Sequence, residues 1–267
     1  MKLMRHLVVG AWTFALACFF LAGPAGAASG ASTFSHDAFD KILKRYVSED
    51  GWVDYEGLKR GATADLRAYL ASLEDVDVSA LGTKEQIAFW INAYNAVCIQ
   101  LLLDKKLPGE VPRRSFLGVG TNLFKIEKYR VAGKVRSLDN IEHGNLRKRF
   151  TDNRIHAAVV CGASSCPRLR PEAFTGERLD TQLDEECRRW INVGLTKKGK
   201  RKNELDRGRK VFRASKIFSW YKGDFGGSNK GVLNFIGRYA DPETKAFLER
   251  EKVSVTFVDY DWSLNKR

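Results

Sequence analysis

Glu142, His143, His156 and Cys161 follow one another in one region of the chain, and together they form the set that nucleophilic acyl chemistry needs. A thiolate attacks, an imidazole takes and returns the proton, and a carboxylate orients the imidazole. A cysteine near its reference pKa of about 8.5 is mostly protonated at neutral pH, so Cys161 needs a nearby imidazole or a helix N-terminus to become a nucleophile. The chain has 4 histidines. His6 lies in the apolar amino-terminal segment and His36 in the first helix, which leaves His143 or His156 as the base. Glu142 or Asp139 can orient that ring, and Asn92 or Asn95 can donate to an oxyanion. The candidate catalytic set is therefore Cys161, His143, His156 and Glu142, with Asn92, Asn95, Arg147 and Cys166 as candidate substrate-binding residues. The chemistry they imply is that of a cysteine-dependent hydrolase or acyl transferase on an unidentified substrate.

A second reading uses the same residues without catalysis. In a non-catalytic secreted binding or structural module, Cys161 and Cys166 close a small disulfide loop, His143 pairs with Glu142, and the asparagines brace a helix. No metal is expected, because Cys161 and Cys166 are spaced more widely than the usual zinc-binding cysteine pair. No cofactor is expected either, since no Gly-rich phosphate loop follows a strand.

The elements that must position these groups are legible from periodicity. Ile155 to Val160 is an uninterrupted, β-branched apolar run followed by Gly and Ser, which reads as a strand buried on both faces that stops at a turn bearing Cys161 and Gly162. On a regular strand His156 and Cys161, five apart, point to opposite faces, so His143 is the better placed base. Upstream, Phe39, Ile42, Leu43, Tyr46 and Val47 predict a first helix capped by Ser35 or Asp37. Trp52 to Tyr55 alternates as a short strand, and Leu66, Tyr69, Leu70 and Leu73 mark a second helix.

A third helix starts at a capping box of Thr83 and Gln86 and runs to about Leu103, with Ile87, Trp90, Ile91, Tyr94, Cys98 and Leu101 at helical spacing. It carries Asn92 and Asn95 on neighbouring positions, where burial requires matched partners. Pro108 and Pro112 end it, and a Gly-rich loop around Gly118 and Gly120 follows. Ala132 and Gly133 form a hairpin turn. Ser137 caps a helix bearing Asp139, Glu142, His143 and Arg147. Leu179, Leu183, Cys187, Trp190 and Ile191 mark another helix, and Cys98 and Cys187 fall on apolar faces as core residues. Val211 and Phe212 precede a helix from Ser215 to Asp224. Helices follow at Val232 to Tyr239 and after Asp241 and Pro242, and Val253, Val255 and Phe257 make a final strand. The expected architecture is a single mixed α+β domain, helices packed around a small sheet with Ile155 to Val160 at its centre.

Length and charge set the context. The 267 residues carry a formal net charge of +13. Lys2 and Arg5 precede the apolar segment Leu7 to Leu21, and Ala25, Gly26 and Ala27 match a signal peptidase site, so residues 1–27 read as a secretory signal peptide. The mature chain, residues 28–267, is then periplasmic or secreted, with no further span expected. Removing Lys2 and Arg5 takes the charge from +13 to +11. Much of the excess lies in Lys197, Lys198, Lys200, Arg201 and Lys202, which reads as a solvated loop or as a contact for an anionic lipid or envelope polymer. Nucleic acid is not an expected partner, because no recognisable binding module is present.

FWINAYNA, the SLDNIEHGNLR segment, IHAAVVCGASSCPRL, the SKIFSWYKGDF segment and the terminal YDWSLN together resemble the domain-of-unknown-function 547 family, from roughly Tyr46 onward. The resemblance maps the family's recurring residues onto Asn92, Tyr94, Asn95, Glu142, His143, Arg147, His156, Cys161, Cys166 and Pro167. It supports the fold and the site and says little about the reaction.

Overall fold

One helix organises the packing. In the computed structural model, which describes residues 33–107, 109–111 and 122–267, α4 spans Thr83–Asp104 and every residue from Ile87 to Leu103 is buried. A helix that is apolar on all faces belongs in a core. By length and composition α4 could cross a membrane, but 94% of its apolar window is packed inside the protein. The expected capping box does not form. Gly82 occupies the N-cap, and the Gln86 side chain donates instead to the Leu81 carbonyl at 2.9 Å. The segment read as a signal peptide, the stops at Pro108 and Pro112 and the Gly118–Gly120 loop lie outside the described residues.

Short helices surround α4. Three precede it: α1 (Asp37–Tyr46), α2 (Tyr55–Gly61) and α3 (Thr63–Ser72). The expected strand at Trp52 to Tyr55 shrinks to single bridges from Val53 to Val47 and to Lys266. The reason is local: the Asp54 side chain caps α2 by accepting from the Gly57 amide, so the chain turns helical at Tyr55. His36 sits at the start of α1 with Nδ1 2.7 Å from the Tyr69 hydroxyl, buried in the core. After α4 come β1 (Tyr129–Val131) and β2 (Lys134–Arg136), an antiparallel hairpin whose turn residues Ala132 and Gly133 both have positive φ.

The carboxy-terminal half adds α5 (Leu179–Asn192), α6 (Lys216–Trp220), α7 (Asn229–Tyr239) and α8 (Pro242–Arg250). A three-stranded sheet is built from β3 (Glu204–Asp206), β4 (Val211–Ala214) and β5 (Ser254–Phe257), with β3 antiparallel and β5 parallel to β4. Phe212 lies opposite Leu205 and Val255, and this face packs with Trp190, Phe218 and Phe235 into a second apolar cluster. The fold is thus α+β, about half helical, with two small sheets.

The central strand is a correction. Asn153–Ala157 forms a 3₁₀ turn, with the Asp152 side chain accepting from the Arg154 amide, and the chain then runs irregularly to Gly162. The segment is buried as expected, but among the described residues it pairs with no strand. Its backbone is satisfied by Asn95 of α4, whose Nδ2 donates to the Ala158 carbonyl at 3.0 Å and whose Oδ1 accepts from the Val160 amide at 2.9 Å. Asn92 does the same for Phe174, donating to its carbonyl at 2.8 Å and accepting from its amide at 3.0 Å. Each amide therefore replaces one rung of a missing ladder. Replacing Asn92 or Asn95 with Leu orphans two buried backbone groups and should destabilise the fold by about 1 to 3 kcal/mol or more. Lys105→Ala, at the end of the same helix, should change stability by less than about 0.5 kcal/mol. Urea denaturation compares them, and equal midpoints would contradict the role of the amides.

Candidate functional site

Six separated stretches line a cleft of about 610 Å³. Cys161, Cys166, Glu142, His143, Arg147 and His156 all face it, and Tyr94, Tyr221, Tyr260, Trp220 and Trp262 form much of its apolar wall. Six of the eight sequence-derived candidates therefore converge. Asn92 and Asn95 do not line the cleft, because their amides are engaged on backbone beneath it.

The helix bearing Glu142, His143 and Arg147 is wound as a π-helix over Asn140–Arg147. Such wider turns are uncommon and concentrate at functional sites. Ser137 Oγ accepts from the Asn140 amide at 3.2 Å at its start, and Asn145 Nδ2 donates to the Asn140 carbonyl at 3.0 Å across it. The winding sets up a continuous polar chain. Asp139 Oδ1 lies 3.6 Å from His143 Nε2, and His143 Nδ1 lies 2.8 Å from Arg147 Nη1. Arg147 then grips Asp224 with two bonds, Nε to Oδ2 at 2.6 Å and Nη2 to Oδ1 at 2.8 Å. Asp224 Oδ2 also meets His156 Nε2 at 2.7 Å.

This chain assigns tautomers. A guanidinium only donates, so His143 Nδ1 accepts and a neutral His143 carries its proton on Nε2. A carboxylate only accepts, so His156 Nε2 carries a proton and Nδ1 is the nitrogen left for exchange. His156 is buried against Tyr221 and Phe225, with ring centroids 4.3 and 5.4 Å away. The Arg147 guanidinium packs over Tyr221, 4.8 Å from its centroid. Burial, followed by the neighbouring Glu142 carboxylate, pushes the Tyr221 hydroxyl far above its ordinary range.

The cysteines make a separate cluster. Both are unbonded thiols, with Sγ atoms 2.7 Å apart. Cys166 Sγ accepts from the Cys161 amide at 3.3 Å and lies 3.1 Å from the Tyr260 hydroxyl, which is 3.7 Å from Cys161 Sγ. The Ala163 backbone also hydrogen-bonds to Cys161 Sγ, and among the described residues neither imidazole hydrogen-bonds to either sulfur. Burial alone would raise the Cys166 thiol. The Cys161 thiol, the Tyr260 hydroxyl and the Cys161 amide, with the charge of Lys202, overcome that and bring it down to about 7. The Cys161 thiol is held well above the ordinary value by its bond to Cys166 and by burial. Lys202 is buried and its ammonium donates to the Cys166 carbonyl. Burial drives its pKa down to about 8.

The loop geometry explains this placement. Gly162, at φ +83°, turns the chain after Cys161, and a Cβ there would meet Leu102 Cδ1 at 2.6 Å. The carboxy-terminal segment then closes the loop: Ser164 and Ser165 amides donate to the Ser263 and Asp261 carbonyls at 2.7 and 3.1 Å, and the Asn265 amide donates to Gly162 O at 2.8 Å. Sequence reasoning missed Asp224, Tyr260 and Lys202 as site residues. Asp224 and Tyr260 stand in the SKIFSWYKGDF and YDWSLN segments, where an acid or a phenol amid large aromatics was the available signal. Lys202 carried no signal that separates it from its exposed neighbours in the basic run.

Asp224 links the site to stability. The hydrogen bonds of Arg147 and His156 hold its carboxyl well below the usual carboxylate range. A depressed folded-state value contributes stability that is fully present above the unfolded value of about 3.9 and is lost as pH falls through the lower folded value. Asp224→Asn should therefore lower the melting temperature at pH 7 and flatten its decline below about pH 4. Melting curves of the two proteins that stay parallel across that range would contradict the assignment.

No curated protein and no solved structure is significantly similar to the chain. A family match does exist, and it spans α4, the π-helix, the cysteine loop and nearly all of α5, stopping short of the segments that supply Asp224 and Tyr260. Residues 78–191 match the model of the family described as Protein of unknown function, DUF547.

Proposed function

We propose that the cleft is the active site of a cysteine-dependent hydrolase or acyl transferase that works after export, in the periplasm or outside the cell. The observation that carries this reading is the convergence of Cys161, Cys166, His143, His156, Glu142 and Arg147 on one cleft, with a depressed thiol at Cys166. Structural bracing needs buried, fully engaged polar groups, as Asn92 and Asn95 are. It does not need a thiol tuned toward its ionised form at a solvent-reachable wall. Support for export is the basic, apolar and small-residue pattern of residues 1–27.

In this reading Cys166 is the nucleophile and Cys161, whose thiol stays protonated, donates to it. The Cys166 thiolate attacks an acyl carbonyl carbon, a carbon–sulfur bond forms, and the carbonyl electron pair moves to oxygen. His143, neutral with its proton on Nε2, serves as a donor to that oxyanion. The intermediate collapses to a thioester, and the departing amine or alkoxide takes a proton from Nδ1 of a protonated His156, whose other nitrogen is held by Asp224. Neutral His156 then accepts a proton from the incoming water or acceptor hydroxyl, which attacks the thioester and releases the thiolate.

Iodoacetamide labelling of native protein with peptide mapping tests the nucleophile. Cys166 should label ahead of Cys98 and Cys187, with a rate rising through about pH 7 rather than the ordinary thiol range. Tyr260→Phe should slow it at neutral pH by up to about tenfold, the worth of one hydrogen bond of about 1 kcal/mol. Turnover of an activated ester should vanish in Cys166→Ala. Labelling of Cys166 no faster than of Cys98, or undiminished turnover in that variant, would sink the reading.

A further inference from the structure

The segment that places Cys161 and Cys166 in the cleft continues through Pro167 and Arg168 into the wall of a second cavity, of about 460 Å³. Its lining sets Arg168, Arg189, Lys197, Lys202, Lys266 and Arg267 against a single acid, Asp50. Three of these cations are already matched. Arg168 is bound to Glu186 at 2.7 Å, Arg189 to Asp50 at 3.1 Å and Lys266 to Glu56 at 3.0 Å. Two are not. Lys197 is exposed and has no carboxylate within ion-pair distance among the described residues. Lys202 is 6% exposed, and among the described residues its ammonium donates to the Cys166 carbonyl and has no carboxylate partner, the Cys166 sulfur being the group that its charge favours.

The excess of positive charge is the feature that points to a ligand, and an anion with several acceptor oxygens offsets it. A carboxylate offers two oxygens and one charge. A phosphate-type group offers three or four oxygens and up to two charges, which suits the two ammonium groups of the Lys197–Lys202 loop. The cavity also exceeds what a bare phosphate fills, and the Trp52 ring on its wall leaves room for an attached group.

We propose that this cavity is a binding site for a phosphate-type oxyanion, free or carried on a larger molecule, held by Lys197 and Lys202. The loop backbone supports the site, since the Lys197 amide donates to Ser164 Oγ at 2.6 Å and the Lys202 amide to the Gly194 carbonyl at 2.9 Å. The proposal is independent of the reaction assigned to the cleft. It also separates the members of the basic run: Lys198 and Lys200 line a different cavity, beside Asp259 and Asp261.

Isothermal titration of the full chain with inorganic phosphate at pH 7 tests it, with circular dichroism to show that each variant is folded. Lys197→Ala, an exposed change, should weaken binding by about fivefold or more, and Lys202→Met by about tenfold, as expected for charge-assisted bonds. Lys198→Ala should stay within about twofold. A parallel arm sediments the protein with phosphatidylglycerol or phosphatidylcholine vesicles in the absence and presence of phosphate. Binding of free phosphate alone identifies a soluble ligand, and phosphate-competed sedimentation with phosphatidylglycerol identifies a headgroup. No binding in either arm, or binding that Lys197→Ala leaves intact or that Lys198→Ala weakens equally, overturns the proposal.

Discussion

The carboxamide of Asn95, set between the Ala158 carbonyl and the Val160 amide, is the contact on which the cleft most depends. Burying an irregular segment such as 158–162 is unfavourable unless its backbone polar groups find partners, and among the described residues no strand runs beside it. Helix α4 supplies those partners from a side chain. Asn92 repeats the device at Phe174, so the two amides bracket the stretch that holds Cys161, Cys166 and Arg168. A helix otherwise packed entirely in hydrocarbon thus does the work that a neighbouring strand does in most α+β folds. The segment is freed from pleated geometry and can turn sharply at Gly162, whose φ of +83° is one that L side chains rarely adopt.

That substitution also explains how far the sequence could be read. Helical periodicity located α1, α3, α4, α5 and α7, because each buries one face or all faces, and apolar spacing reports burial directly, while the start of α8 was legible from the Asp241 cap and Pro242. Burial of Ile155 to Val160 was legible for the same reason. Its conformation was not, since an apolar run says only that the segment is inside, and Asp152 starts a 3₁₀ turn where an extended strand was expected. The parity argument against His156 depended on that strand and loses its basis with it. Convergence of Cys161, His143, Glu142 and Arg147 was readable from residue type, whereas Asp224 and Tyr260 reach the site from segments far along the chain, which spacing cannot connect.

The two halves of the cleft are organised by different charges. On the π-helix side one carboxylate, Asp224, serves both Arg147 and His156, and Arg147 in turn occupies Nδ1 of His143. Both rings are oriented by these bonds, and their proton positions follow from donor capacity. On the cysteine side, among the described residues, no imidazole hydrogen-bonds to either sulfur. There the anionic form of Cys166 is favoured by a thiol, a phenol, an amide and a buried ammonium. Acid–base groups and thiol activation are therefore separable in this site, unlike a cysteine–histidine pair in which one proton transfer couples them.

Lys202 carries that separation one step further. Its ammonium stabilises the Cys166 thiolate from behind the loop, yet its own charge is disfavoured by burial. Two opposed influences reach the sulfur from this side: protonated Lys202 favours the thiolate, and an anion set beside it brings a negative charge of its own that opposes the thiolate. Loss of the ammonium raises the thiol pKa, because the Lys202 charge is one of the influences that hold it down.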